Sequence, residues 1–287
     1  MALSVRTNVA SIRAATQLSY TQGNLTSSLE RISSGLRVNR AADDAAGLSV
    51  ASRMDSDNTS LKQAIRNAND GVSLIQTAEG GLNEVYNILV RMRELSVQAS
   101  NETYNSTDRS QMNTEFNQLM NEIVRISDNA QFNRVDVLSA ANGDGTSQLT
   151  IQLGIFNNSD NQVDINLLSI AATLAALGLA SLADPAAGGG ITTLSNATSS
   201  ITILDSALSK INTRRAYLGA VQNRLESALN EATNYSENLA ASASQILDVD
   251  YAEESARMTR YQIMQQAGVA ALGQAKAIPQ SVVSLLS

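Results

Sequence analysis

The sequence predicts a mainly α protein, built of long antiparallel helices or coiled coil with a small β-hairpin region at the tip. Three observations carry that prediction. Apolar residues recur at alternating spacings of three and four over long stretches toward both ends of the 287-residue chain. Only two Pro occur in the whole chain. With three Phe, seven Tyr and no Trp, any core must be filled by Leu, Ile, Val and Ala, the residues of helix–helix seams rather than of thick interiors.

The first stripe begins at Val5, Val9 and Ile12 and, after a phase slip, resumes at Leu18, Leu25, Leu29, Ile32 and Leu36. Gly35 punctuates this helix, residues 36–40 are a polar, basic spacer, and Asp43 and Asp44 suit the cap and first turn of a new helix, so a hinge is expected here. The next helix carries Leu48, Leu61, Ile65, Ala68, Val72, Ile75, Ala78, Leu82, Val85, Leu89, Met92 and Ala99, with one slip near Ile75. Gly71, Gly80 and Gly81 weaken it without ending it. A polar turn at 101–106 leads to a strict stripe through Met112, Phe116, Leu119, Ile123, Ile126 and Ala130, which the short connection makes an antiparallel return.

Beyond Asn129 the pattern changes. Asn142, Gly143, Asp144 and Gly145 form a turn cluster, and residues 148–156 and 162–168 alternate around 157–161, which reads as a short hairpin. Residues 171–190 are Ala-rich, closed by Asp184, Pro185 and glycines 188–190, and are the least constrained part of the chain. The apolar run 165–183 carries Asn166, Ser169, Thr173 and Ser181 and is flanked by Asp164 and Asp184 rather than by basic anchors. It is expected to lie on the protein surface, not to span a membrane. From Leu194 the helical stripe returns through Ile201, Leu208, Ile211, Leu218, Leu225, Leu229, Ala232, Leu239 and Ile246.

The last element has an unbroken seam at Tyr261, Met264, Gly268, Ala271, Ala275, Ile278, Val282 and Leu285, with a second apolar edge at Ile263, Val269, Ala270, Val283 and Leu286. More than one of its faces wants a partner. The first stripe supplies one, and two weakly charged amphipathic ends in one chain point outward to self-association.

Composition removes whole classes of function. Without Cys or His there are no disulfides, thiol nucleophiles, imidazole bases or usual zinc sites, and without a Gly-rich phosphate loop no cofactor or enzymatic activity is expected. A net charge of −7, with three Lys and seventeen Arg scattered along the chain, argues against nucleic acid. Residues 1–12 lack the architecture of a cleaved signal peptide. Asp43, Asp44, Asp248, Asp250, Glu253 and Glu254 lack the glycine and terminal bidentate Glu of a calcium loop, so they read as helix caps and a solvated face, not a metal site.

Residues 30–51, ERISSGLRVNRAADDAAGLSVA, resemble bacterial flagellin. So do MALSVRTNVASI at the start, LVRMRELSVQASN at 89–101, RRAYLGAVQNRLESA at 214–228, MTRYQIMQQAGVAALGQA at 258–275 and IPQSVVSLL at 278–286. The resemblance implies a short flagellin with little or no variable outer domain. It places residues 1–43 and 247–287 in an inner coiled-coil layer, 44–140 and 194–246 in an outer helical bundle, and 141–193 in a hairpin and Ala/Gly-rich variable segment. It implies a homopolymer that forms the extracellular filament of the bacterial flagellum, exported by the flagellar type III apparatus. Its implied partners are an export chaperone and the hook-filament junction and cap proteins.

By the same resemblance, Arg91, Leu95, Gln98 and Glu115 match residues recognised by an innate receptor of the Toll-like class, and they equally suit a packing face between subunits. Arg31, Gly35, Asn39, Asp43, Asp44 and Gly47 fall in the stretch matching a plant receptor kinase epitope, which also reads as a helix-hinge-helix connector. The inner-core seam would join Leu18, Leu25, Leu29 and Ile32 to the C-terminal positions named above. Family members often place two Arg where this chain has Ala243 and Gln245, and an acidic residue where it has Leu247. The alternative function is a secreted adhesin or immune-signalling helical protein, which calls for a larger exposed domain than 141–193 supplies.

Overall fold

The computed structural model describes residues 7–139, 148–183 and 189–284, with side chains as far as 277. Contacts divide the chain into two compact units, Met1–Asn58 with Glu237–Ser287, and Thr59–Ser236.

In the first unit, α1 (Val9–Ser34) starts at Asn8, whose side chain accepts from the Ser11 amide, and stops at Gly35 in the left-handed conformation. At the other end of the chain, α7 (Tyr251–Ser284) opens on Asp250, whose carboxylate accepts from the Ala252 and Glu253 amides, and Glu253 and Glu254 complement the helix dipole in its first turn. The two helices run antiparallel. Asn8 Nδ2 donates to the Ala275 carbonyl at 2.8 Å, the Gln22 and Gln265 side chains meet midway, and Tyr251 OH donates to the Ile32 carbonyl at 3.2 Å.

The facing positions are Ser11, Ala14, Leu18, Thr21, Leu25, Ser28 and Ile32 on α1, and Glu254, Met258, Tyr261, Gln265, Gly268, Leu272 and Ala275 on α7, all buried or half-buried. Each set steps by three and four, as a helix–helix seam does, but small and polar residues fill much of it. The C-terminal seam expected from sequence therefore divides. Tyr261, Gly268 and Ala275 face α1, whereas Met264 and Ala271 point away and Gln265 and Leu272 take their places. Ile278 and Val282 lie within α7 with side chains outside the described residues, and Leu285 lies outside them altogether.

The second unit is a bundle formed by most of α2 (Ala45–Ala99), by α3 (Ser106–Asn129) and by most of α6 (Leu194–Leu247). Along α2 the buried positions include Leu61, Ala64, Ala68, Gly71, Ile75, Ala78, Leu82, Val85, Leu89, Met92, Ser96 and Ala99, an unbroken alternation of three and four, with Leu74 and Leu95 buried beside it. α6 answers with Ala197, Ser200, Leu204, Ala207, Ile211, Arg214, Leu218, Val221 and Leu225, and α3 with Phe116, Met120, Ile123 and Ser127. Asn105 and Asp108 form a reciprocal capping box at the start of α3.

After α3, β1 (Gln131–Phe132) and β2 (Val135–Asp136) close on a two-residue turn in which Asn133 and Arg134 both have positive φ, the geometry that matches strand twist. The expected hairpin is present as β3 (Gln148–Gln152) and β4 (Gln162–Asn166), paired antiparallel with Thr150 opposite Asp164. Ile151, Val163 and Ile165 turn inward against α2 and α6, where Asn67 Nδ2 donates to the Gln152 carbonyl and the Asn166 amide donates to Tyr217 OH. The turn cluster at 142–145 lies outside the described residues, as do Asp184, Pro185 and Gly188.

The apolar run 165–183 does not lie on the surface. Ile170, Ala172, Leu177, Leu179 and Leu182 join the bundle core around the short helices α4 (Leu174–Leu177) and α5 (Ala180–Ala183). Its apolar residues are needed there to close the side of α6, and the freed carbonyls at the end of α4 are taken by Lys210 Nζ and Arg214 Nη2. No described helix is long and apolar enough to cross a membrane.

Candidate functional surfaces

The hinge is built from backbone hydrogen bonds. Residues on either side of α1's end and α6's end form an antiparallel bridge between Leu36 and Asp248, with the Arg37 amide donating to Leu247 at 2.6 Å and the Val249 amide donating to Gly35 at 3.0 Å. Arg37 Nη2 also donates to the Ile246 carbonyl at 2.7 Å, so this one residue satisfies two of the last carbonyls of α6. Sequence reading passed over Arg37 because a lone cation in a polar spacer carries no periodic signal. Its backbone and guanidinium contacts bridge the junction between the ends of α1 and α6.

The six hinge residues fall into distinct roles. Gly35 supplies the left-handed turn, and the Arg31 carbonyl accepts from the Gly35 amide while the Arg31 Nε is buried without a hydrogen-bond partner. The Asp43 carboxylate accepts from the Asn39 and Arg40 amides, and those two bonds, helped by the charges of Arg31 and Arg40, hold it below the usual carboxylate value. Asp44 accepts from the Gly47 amide at 2.8 Å at the start of α2, and a Cβ on Gly47 would overlap that carboxylate. Arg40 closes the loop with an exposed ion pair to Glu30.

On the bundle, Arg91 reaches from α2 to α3, where Nε and Nη2 donate to Glu115 Oε1 at 3.0 and 2.8 Å, while Nη1 donates to Glu94. Glu115 first and Glu94 second hold the guanidinium more firmly protonated. Gln98 is exposed and its Nε2 donates to Tyr104 OH. Leu95 is different: only 2% exposed, it belongs to the core beneath this face. The structure thus brings Arg91, Gln98 and Glu115 to one surface and adds Glu94 and Tyr104, with Leu95 as its support.

The third surface is apolar. Val9, Ile12, Tyr20 and Leu29 on α1 and Ile263, Met264 and Val269 on α7 are exposed, Ile263 by 61% and Val269 by 55%. Apolar side chains left exposed on both helices are ones that association would bury. Among the described residues no group of three or more Asp, Glu, His or Cys is placed to hold a metal. Asp250 is a helix cap, and Glu254, expected on a solvated face, is instead buried between α1 and α7.

Comparison with known proteins matches residues 5–143 to the bacterial flagellin N-terminal helical region and residues 201–286 to the bacterial flagellin C-terminal helical region. A flagellin from Halalkalibacterium halodurans is 46% identical over 258 residues, covering 90% of each chain. The chain belongs to the bacterial flagellin family. This flagellin is also 40% identical over 281 residues to the flagellar filament 33 kDa core protein of Treponema phagedenis, covering 97% of this chain and 98% of that one. The crystal structure of Bacillus cereus flagellin superposes with a TM-score of 0.49 at 31% identity, covering 58% of this chain and 88% of that chain. Membership makes it a structural subunit of the extracellular flagellar filament, and its long helices agree with the helical regions that the family is described by.

Proposed function

We propose that copies of this flagellin polymerise through the outward edges of α1 and α7, which then form the inner layer of the filament while the Thr59–Ser236 unit builds its outer layer. The observation that carries this reading is the exposed apolar set Val9, Ile12, Tyr20, Leu29, Ile263, Met264 and Val269. A seam as poor in large apolar side chains as that between α1 and α7 gives little stability alone, so burial against neighbouring copies is what would stabilise the pair.

On the same reading, an export chaperone covers α7 before passage through the type III apparatus, and the hook-filament junction and cap proteins meet the chain at the filament's ends. The Arg91, Gln98 and Glu115 surface suits both a neighbouring subunit and a Toll-like receptor, and the hinge is the part a plant receptor kinase would read. Electron microscopy after seeding with filament fragments tests the central claim. Wild type should elongate the seeds, and the pair Ile263→Asp with Val269→Asp should not; elongation by the double variant would show that these edges do not join subunits.

A further inference from the structure

The buried carboxylate of Glu254 has no part in the surfaces described above. Its side chain is 6% exposed, and its Oε1 accepts a hydrogen bond of 2.5 Å from Ser28 Oγ on the opposite helix. The nearest cation is Arg257, whose Nη1 stands 3.9 Å from Oε2 and whose closer bond is to Glu253. An acid buried between two helices is costly unless it is satisfied, so its position has to be explained.

We propose that the Ser28–Glu254 hydrogen bond fixes the register of α1 against α7. The other cross-helix hydrogen bonds described, Asn8 to Ala275, Gln22 with Gln265 and Tyr251 to Ile32, are exposed or half-buried, whereas that of Ser28 with Glu254 is buried. Ser11, Ala14, Thr21, Gly268 and Ala275 are small, and Gly268 packs against Leu18 by van der Waals contact alone, which gives a slide of seven residues no buried polar group to break. Glu254 does not tolerate that slide. Moved one way by a heptad it would face Thr21, whose hydroxyl already donates to the Gln17 carbonyl of its own helix. Moved the other way it would face Gly35, beyond the end of α1, which has no side chain to donate.

The hydroxyls of α1 show the same selectivity. Thr16, Thr21 and Thr26 each bond back to the carbonyl four residues earlier, while Ser28 bonds across to Glu254. Correct register matters to a filament because every subunit repeats it, so a slipped pair would present its outer apolar residues one heptad out of place. The inference concerns the helix pair itself and stands apart from which face joins neighbouring copies.

Disulfide trapping tests it, and the chain's lack of Cys makes engineered pairs unambiguous. Gln22→Cys with Gln265→Cys reports the native register; Gln22→Cys with Met258→Cys, or with Leu272→Cys, reports a slip of one heptad either way. Each pair is oxidised in the full chain, both as monomer and as pelleted filament. In the parent background only the native pair should close. Adding Glu254→Leu should let the slipped pairs close with yields comparable to the native one, while helicity by circular dichroism is kept. Adding Glu254→Gln, whose amide oxygen still accepts from Ser28, should restore the single register. Native-only closure with Glu254→Leu, slipped closure with Glu254→Gln, or no native closure in the parent in either state would each overturn the proposal.

Discussion

Arg91 and Leu95 are one turn apart on α2, but the guanidinium is held at the surface by Glu115 while the leucine is sealed in the bundle core. Sequence spacing alone puts them on a common face, and the structure assigns them different work. Leu95→Ala should therefore act through folding, lowering stability by about 2 to 5 kcal/mol as truncations of buried leucines do. Arg91→Ala should leave the melting temperature nearly unchanged, because exposed ion pairs contribute little. Thermal unfolding followed by circular dichroism, beside seeded elongation, separates the two. A Leu95→Ala protein of wild-type melting temperature that fails to elongate would place Leu95 at an interface instead.

Gly71 occupies a seam position of α2 where the hairpin comes closest. A Cβ there would overlap Ile151 Cδ1 and approach Leu225 Cδ1 at 3.2 Å, so the glycine makes room for β3 at the cost of helix propensity. Gly71→Val should destabilise by about 1 to 3 kcal/mol, the usual effect of overfilling a packed site. Combined with Ile151→Ala, the penalty of the valine should shrink, since the atom it displaces is gone. Urea denaturation of the four proteins in this cycle gives the coupling directly, and strictly additive losses would mean that Gly71 is not there for Ile151.

Asp43 makes the hinge sensitive to acid. Its folded-state value is depressed below 3.8, chiefly by the amide hydrogen bonds of Asn39 and Arg40, so its contribution is complete above the unfolded value and disappears as pH falls through the lower folded one. The Asn39 and Arg40 amides should thus shift together in an NMR titration with a midpoint under the ordinary carboxylate value. In Asp43→Ala the same amides should already resemble the acid form at neutral pH. A midpoint at or above 3.8 in the parent contradicts the hydrogen-bond account.

Much of this architecture was legible because long periodic stripes leave few alternatives. The helices, the return at Ser106–Asn129 and the strands β3 and β4 all carry strong local signals. What escaped were positions whose burial is set by a neighbour rather than by their own chemistry. The slip assigned near Ile75 came from following large side chains past Ala64 and Gly71, small residues that in fact keep the α2 seam continuous. Arg214 is only 9% exposed at a seam position of α6, yet nothing in its type suggests burial until the carbonyl of Ala176 comes into view. The run 165–183 was apolar enough to invite a surface or membrane reading, and only the proximity of α6 shows that its side chains close the bundle. Glu254 escaped for the same reason, since its partner lies 226 residues away.

Ala271 and Leu272 are neighbours in sequence that face opposite ways, and they separate the two interfaces of α7. Leu272 is half-buried on the side of Gly268 and Ala275 that meets α1, whereas Ala271 is exposed beside Met264. Leu272→Ala removes packing from the pair itself, and because the site is only partly covered the loss should fall below the roughly 2 to 5 kcal/mol of a fully buried leucine. It should reduce helicity in the isolated chain. Ala271→Phe adds bulk where the single chain has open space, so the monomer's circular dichroism and melting should match wild type. In a filament the same phenylalanine would recur in every subunit on a face meant for close helix approach, where overfilling is not relieved by one local adjustment. Seeded growth should then stop or give short filaments, measured by length in electron micrographs. Ala271→Phe filaments of ordinary length and melting temperature would mean that the outer side of α7 stays open to solvent in the assembly, and the joining of copies would have to be sought on the Thr59–Ser236 unit instead.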